Sequence, residues 1–160
     1  MAQQTLETPT DLFQYQLRTA LTMEADSLAA LGALASSAKS ADVKKMFHHH
    51  ADETREQIAN LHKAFTLLDL KLTSAPSPST KGITKQAESL IGRSASNLRD
   101  QVVLSCALGN EHYEISAYQS LIIPIEAMGA AEVAKLLKAN LEQEMHTSKE
   151  LKAMLEKIVG

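Results

Sequence analysis

Four long segments of this sequence carry apolar side chains at steps of three, four or seven residues, which is the spacing of one face of an α-helix. The spacing predicts long helices over about residues 10–37, 41–70, 97–123 and 130–160. Thr8, Pro9 and Asp11 form a start signal for the first helix, and either Ser40 or Asp42 can cap the second. The sequence therefore predicts an all-α chain.

One connection between these helices is much longer than the others. Residues 73–82, TSAPSPSTKG, are rich in proline and serine and are not expected to hold a helix. A shorter helical piece follows over residues 83–95, and Pro124 is expected either to kink or to end the third long helix. We predict one domain over residues 1–160, a four-helix bundle with one long crossover connection and a short extra helix.

Composition narrows the classes of function. The chain has 16 Lys and Arg against 19 Asp and Glu, and its basic residues are scattered, so nucleic acid is not an expected partner. No apolar run approaches the ~18 residues of a membrane span, and the N-terminus lacks the pattern of a signal peptide. We expect a soluble, cytoplasmic protein. The single cysteine, Cys106, lies in an apolar helical run and is assigned no role.

Acidic residues interrupt the apolar face of every long helix. Glu24, for example, fills the step between Leu21 and Leu28. The acidic residues expected to face inward are Glu24, Glu53, Glu111, Glu114 and Glu144. Burying an unpaired carboxylate costs several kcal/mol, and five of them would exceed the ~5 to 15 kcal/mol net stability of an ordinary domain. Positive charge must therefore lie among them.

Metal ions are the simplest source of that charge, because the lysines that could pair with the carboxylates, Lys63, Lys138 and Lys149, fall on other helix faces. Carboxylates with a few imidazoles suit iron or manganese, with zinc as a further option. The number of carboxylates predicts two metal ions, and iron is the first expectation.

The histidines leave the nitrogen ligand open. His50 stands three residues before Glu53 and is a candidate ligand, although a core imidazole or a partner of Glu53 would show the same spacing. His48 and His49 are expected to point elsewhere, at roughly 100° per residue. His112 lies beside the acidic face and can rotate toward it. Either His50 or His112 completes the predicted coordination.

Three stretches, FHHHADETREQI, RDQVVLSCALGNEHYEISAYQSL and LLKANLEQE, resemble the corresponding segments of the YciF/YciE family of bacterial ferritin-like stress proteins. The resemblance covers residues 11–155. It implies a ferritin-like bundle, usually dimeric, with a di-metal centre whose acidic ligands are Glu24, Glu53, Glu111, Glu114 and Glu144. The wider di-iron pattern reads Glu-x-x-His on the second and last helices, whereas here Glu56 and Thr147 occupy the histidine positions.

Two classes of function follow. In the first, two iron or manganese ions react with oxygen or peroxide, so that the protein is an oxidoreductase or protects against stress. In the second, the metal only stabilises a dimeric bundle that acts as a structural or interaction protein. A third reading is a bundle that has lost its metal and keeps its carboxylates protonated or paired through water. Whether the chain is an enzyme stays open. Tyr118 is expected in the core, with its hydroxyl bonded to a ligand carboxylate.

Overall fold

The computed structural model describes residues 3–160, which contain five α-helices and no strand, so the predicted all-α class is confirmed. The helices are α1 (Pro9–Ser37), α2 (Ala41–Leu67), α3 (Pro78–Arg93), α4 (Arg99–Ala127) and α5 (Ala131–Val159), with a 3₁₀ turn at Ser96–Leu98. Within these residues, no helix is both long enough and apolar enough to cross a membrane.

The side chains that cap the N-termini of α1 and α2 lie at the predicted positions. The Thr8 hydroxyl accepts the Asp11 N–H at 3.0 Å, and the Asp11 carboxylate accepts the Thr8 N–H at 3.0 Å, forming a capping box. Pro9 occupies the first turn, where its missing N–H would have no helical partner. Of the two predicted caps of α2, Ser40 is the one used, and it accepts the Val43 N–H at 3.3 Å.

Three helix ends differ from the simple spacing argument. α2 ends before residue 70, because Asp69 takes a left-handed backbone conformation with φ of 52°. α3 begins at Pro78, inside the segment 73–82 that was expected to be non-helical, because proline is compatible with the first helical turn. α4 continues past Pro124, which lies in its last turn. The missing N–H of Pro124 leaves the Ser120 carbonyl without the usual i→i−4 donor, and α4 ends three residues later at Ala127.

The four long helices form the bundle, in which α1 and α5 each pack against both α2 and α4. Short turns join α1 to α2 and α4 to α5, so each of these pairs is antiparallel. Residues 68–98 connect α2 to α4, and α3 packs on the outside of α1 and α4. The Thr22 hydroxyl donates to the Ala75 carbonyl at 2.6 Å, and the Ala75 N–H donates to the Arg18 carbonyl at 3.2 Å. These hydrogen bonds hold the connection on α1. The result is the predicted bundle with one crossover.

The core consists of two apolar clusters with a polar layer between them. Phe13, Leu17 and Phe65 belong to the first cluster, and Phe47 and Leu104 belong to the second. The buried polar side chains of the middle layer include Glu24, His50, Glu111, Glu114 and Glu144. The acidic residues thus occupy one level of the bundle.

The apolar stripes of α1 and α5 differ in detail from the prediction. Leu21 and Leu28 are half-buried, whereas Met23 and Ser27 are buried, because the helical repeat of 3.6 residues moves the inward face gradually along the helix. The apolar spacing also predicts that Ile158 faces inward, but it is exposed in the last turn of α5. The place of Glu24 is unaffected, since it remains fully buried.

Asp100 joins the α1–α2 turn to the start of α4, accepting the Lys39 N–H at 2.6 Å and the Ser40 N–H at 3.0 Å. We expect Asp100→Ala to lower the free energy of unfolding by about 1 to 3 kcal/mol, because two backbone donors lose a charged acceptor. Urea denaturation followed by circular dichroism measures the loss. Asp52→Ala removes only the exposed ion pair with Arg55 and should cost less than about 1 kcal/mol. Equal losses in the two variants would contradict the role of Asp100.

Candidate metal centre

The polar layer contains four buried carboxylates from three helices. Glu24 lies on α1, Glu111 and Glu114 lie on α4, and Glu144 lies on α5, with exposed fractions of 0%, 4%, 1% and 3% in that order. One carboxylate oxygen from each of Glu24, Glu114 and Glu144 lies within 4.8 Å of the other two. The Glu111 carboxyl is in hydrogen-bonding contact with that of Glu144. Four of the five predicted acidic residues therefore converge.

Glu53, the fifth, lies at the edge of this cluster. Its side chain is 15% exposed, because Thr54 at the next position takes the buried place on α2. Glu53 Oε1 lies 2.8 Å from His49 Nε2, and Glu53 Oε2 accepts the Thr147 hydroxyl at 3.2 Å. Its charge contributes to the raised pKa of Glu111. The expectation that α2 supplies a buried carboxylate is therefore wrong. His49 points outward as expected, with 62% of its side chain exposed, and pairs with Glu53 at the edge of the cluster.

His50 is the buried histidine of the polar layer. Its Nε2 lies 3.1 Å from Glu150 Oε2, and its Nδ1 is buried without a hydrogen-bond partner. Burial lowers the pKa of His50, although the hydrogen bond with Glu150 opposes this, so the imidazole is neutral at pH 7. With Nε2–H directed to Glu150, Nδ1 offers a lone pair, an arrangement found in metal-binding histidines. His112 is exposed on α4.

A chain of hydrogen bonds fixes Glu24. The Tyr118 hydroxyl donates to Glu24 Oε1 at 2.5 Å, which confirms the expected bond between this hydroxyl and a candidate ligand. Asn140 Nδ2 donates to the Tyr118 hydroxyl and to the Gln57 carbonyl, each at 3.1 Å. Asn60 Nδ2 in turn donates to Asn140 Oδ1 at 2.9 Å. All four bundle helices are thus connected through polar side chains beside the carboxylates.

Burial raises the pKa of every carboxyl in the cluster. It raises the pKa of Glu24 from 4.5 to about 7, although the Tyr118 hydrogen bond opposes the shift. The pKa values of Glu111, Glu114 and Glu144 lie well above the usual range, first because of burial and then because of the neighbouring acids. Within residues 3–160, no salt bridge includes any of the four. The cluster therefore retains protons near neutral pH unless a cation replaces them.

The donor atoms fit a hard or borderline metal ion. Glu24 Oε2, Glu111 Oε2 and Glu114 Oε1 are buried without a hydrogen-bond partner, and each such atom costs about 1 to 3 kcal/mol when left unpaired. The lysines considered as partners are exposed: Lys63, Lys138 and Lys149. Carboxylate oxygens with an imidazole nitrogen suit iron, manganese or zinc. The buried triad could hold a metal ion.

Several polar residues of this layer were not among the predicted site residues. Ser27 follows Glu24 by three residues and Asn140 precedes Glu144 by four, so the same spacing argument could have found both. Glu150 stands six residues after Glu144, which is not a neighbouring position on one helix face. Its contact with α2 depends on how α2 and α5 pack.

Comparison with known proteins places the chain in a family. The family described as Domain of unknown function (DUF892) matches residues 8–160. The chain belongs to the DUF892 family. Protein YciF of Escherichia coli (strain K12) is 30% identical to this DUF892 chain over 144 residues, which cover 89% of this chain and 87% of YciF. The predicted resemblance to the YciF/YciE family is confirmed.

Solved structures match this DUF892 chain over almost its whole length. The crystal structure of the E. coli stress protein YciF has a TM-score of 0.91 at 28% identity, covering 96% of this chain and 98% of YciF. YcfI from Rhodopseudomonas palustris also has a TM-score of 0.91, at 27% identity, covering 95% of this chain and 98% of YcfI. The bundle and its crossover are therefore features that the chain shares with these proteins.

Glu24→Gln should change how stability depends on pH in chelator-treated protein. A carboxyl with a pKa of 4.5 unfolded and about 7 folded loses roughly 3 kcal/mol of folding stability as the pH rises between these values, because the unfolded chain ionises first. Glutamine cannot ionise and can still accept the Tyr118 hydrogen bond. The variant should match the wild type near pH 4.5 and be more stable by about 3 kcal/mol near pH 8. Urea denaturation at both pH values provides the comparison, and a pH-independent difference would show that Glu24 titrates normally.

Proposed function

We propose that this chain is a ferritin-like metal-binding protein whose polar layer holds two ions of iron or manganese, with zinc as a further candidate. The observation that carries the proposal is the convergence of four buried carboxylates with three unpartnered oxygens and no basic partner within residues 3–160. A cation would satisfy these oxygens and replace the protons that burial otherwise retains.

The proposed ligands divide into two overlapping sets. Glu24, Glu114 and Glu144 form the compact triad and would hold one ion. Glu111 and Glu53 extend the donor set toward α2 and would hold the second, with Glu144 shared because it contacts both Glu111 and Glu114. A shared carboxylate is a common way for two close cations to reduce their mutual repulsion.

Neighbouring groups would keep these ligands in place. His50 would supply Nδ1 as the nitrogen donor, because Glu150 holds its opposite ring nitrogen. Tyr118 orients the Glu24 carboxylate through its short hydrogen bond. The Ser27 hydroxyl hydrogen-bonds Glu114. These contacts fix ligand directions before a metal binds, which lowers the cost of ordering the site.

An iron or manganese pair can exchange electrons with oxygen or peroxide when bound. The two apolar clusters on either side of the layer would limit the access of water to it. A role in oxidant chemistry or stress protection is supported by the relative YciF, which is described as a stress protein. The chain would act in this role as a homodimer with a small oxidant as substrate.

Metal titration tests the proposal directly. We expect chelator-treated protein to bind two Fe(II) or Mn(II) ions per chain under anaerobic conditions, as measured by calorimetry and elemental analysis. Glu114→Gln removes a charged ligand and should lose at least one of them. Glu142→Gln changes an exposed carboxylate on the same helix as Glu144 and should bind as the wild type does. Less than one bound metal per wild-type chain would refute the two-metal site and favour a bundle that keeps its carboxyls protonated.

A second candidate function is a dimeric structural or interaction protein that uses metal only for stability. It is favoured by the relative YcfI, which is described as a candidate structural protein. Glu53→Ala combined with Glu111→Ala distinguishes the two functions. A structural protein would lose thermal stability or its dimeric state without any turnover to lose, whereas an oxidoreductase would lose oxygen or peroxide consumption that the metal-loaded wild type shows.

A further inference from the structure

A cavity of about 60 Å³ lies between α1, α3 and α4, beside the carboxylate layer. Most of its wall is aliphatic, and the side chains that define it are Leu31, Leu34, Ile83, Ala87, Ile91 and Ala107. Glu111 and Ser27 also line it. The cavity is therefore an apolar space under α3 that reaches one member of the proposed metal site.

Polar groups at the outer part of the cavity are bonded to one another. The Thr80 hydroxyl donates to Asp26 Oδ2 at 2.8 Å, and Lys81 Nζ lies 2.5 Å from Asp26 Oδ1. Both Asp26 oxygens are thus engaged by α3. A guest molecule between the aliphatic walls would find few free hydrogen-bond partners, so the cavity suits an apolar guest.

Ser27 marks the boundary between the cavity and the carboxylates. Its hydroxyl accepts a hydrogen bond from Asn110 Nδ2 at 3.1 Å and also hydrogen-bonds Glu114. Glu111 reaches the cavity from the other side and contacts Glu144. A molecule inside the cavity is therefore one side chain away from the compact glutamate triad.

We propose that this cavity binds dioxygen and supplies it to the carboxylate layer, so that dioxygen and not peroxide is the oxidant taken up by this route. This inference rests on the proposed metal-binding function. Dioxygen forms no obligatory hydrogen bonds, whereas hydrogen peroxide would find few acceptors for its O–H groups along the aliphatic walls before it reached Glu111. The volume of about 60 Å³ is several times the ~10–15 Å³ that a cavity needs to hold one water molecule, so a diatomic guest fits inside.

The position of α3 makes the cavity testable without changing the bundle core. Within α3 only Thr80 is buried, and Ala87 is half-buried on the cavity wall. Ala87→Leu would place a larger side chain in the cavity from the outer helix. Ser89→Leu adds a comparable apolar side chain at an exposed position of the same helix and serves as the control. Ala30→Leu fills the cavity from α1, in case α3 shifts to accommodate the first variant.

Xenon is the first probe, because it is apolar and binds in apolar protein cavities. Crystals of metal-free wild type and Ser89→Leu, pressurised with xenon, should show an anomalous peak between Leu31, Ile83 and Ala87. Ala87→Leu and Ala30→Leu should lose the peak. No xenon in the wild-type cavity would overturn the proposal, whether or not the chain binds metal.

Reaction rates are the second probe. In protein loaded with Fe(II) and mixed with dioxygen in a stopped-flow instrument, both cavity-filling variants should oxidise iron several-fold more slowly than the wild type and Ser89→Leu. Their metal content and their rates with hydrogen peroxide should be unchanged. Equal rates with dioxygen in all four proteins would overturn the supply route. A chain that binds xenon but no metal would instead refute the proposed function alone, leaving a binding site for a small apolar gas.

Discussion

The burial of four carboxylates at one level of the bundle is the constraint on which the rest of this structure depends. Carboxylates without partners are costly in an apolar interior, and burial accordingly raises the pKa of Glu24 to about 7. The fold confines the unfavourable burial of these carboxylates to one layer of the bundle. Two apolar clusters flank the polar layer, so the hydrophobic stabilisation comes from both ends while the middle holds the buried acids. The buried carboxylates of this layer need protons or bound cations to balance their charge.

The neighbours of the carboxylates show that the layer is organised and not an accident of packing. Tyr118 and Asn140 connect Glu24 to the opposite helices. On the α2 side, Glu150 occupies one nitrogen of His50 and leaves the other free. Metal sites typically contain ligands whose remaining polar atoms are hydrogen-bonded to neighbouring side chains. These hydrogen bonds set both the direction and the protonation state of each ligand. The membership in DUF892 and the similarity to YciF and YcfI agree with the bundle, while the proposed metal binding rests on these side chains.

Much of the fold could be predicted because its signals are local. The capping box at Thr8 and the cap at Ser40 act over three residues, and the helical repeat acts over four. The errors arose where a local rule has two outcomes. Pro78 could break a helix or start one, and Pro124 could end α4 or lie within its last turn. In the structure Pro78 starts α3, which packs on α1 and α4. No pattern within the linker sequence specifies that packing.

The sequence by itself determined which carboxylates face inward, because Glu24, Glu111, Glu114 and Glu144 follow the apolar repeat of their own helices. Only the tertiary structure decided how these side chains meet those of other helices. It placed Glu53 at the edge of the layer and directed His50 to Glu150, which is 100 residues away in the chain. The physical reason is that a helical repeat specifies a direction within one helix, whereas contacts between helices depend on their relative rotation and translation, which the packing of the whole core sets.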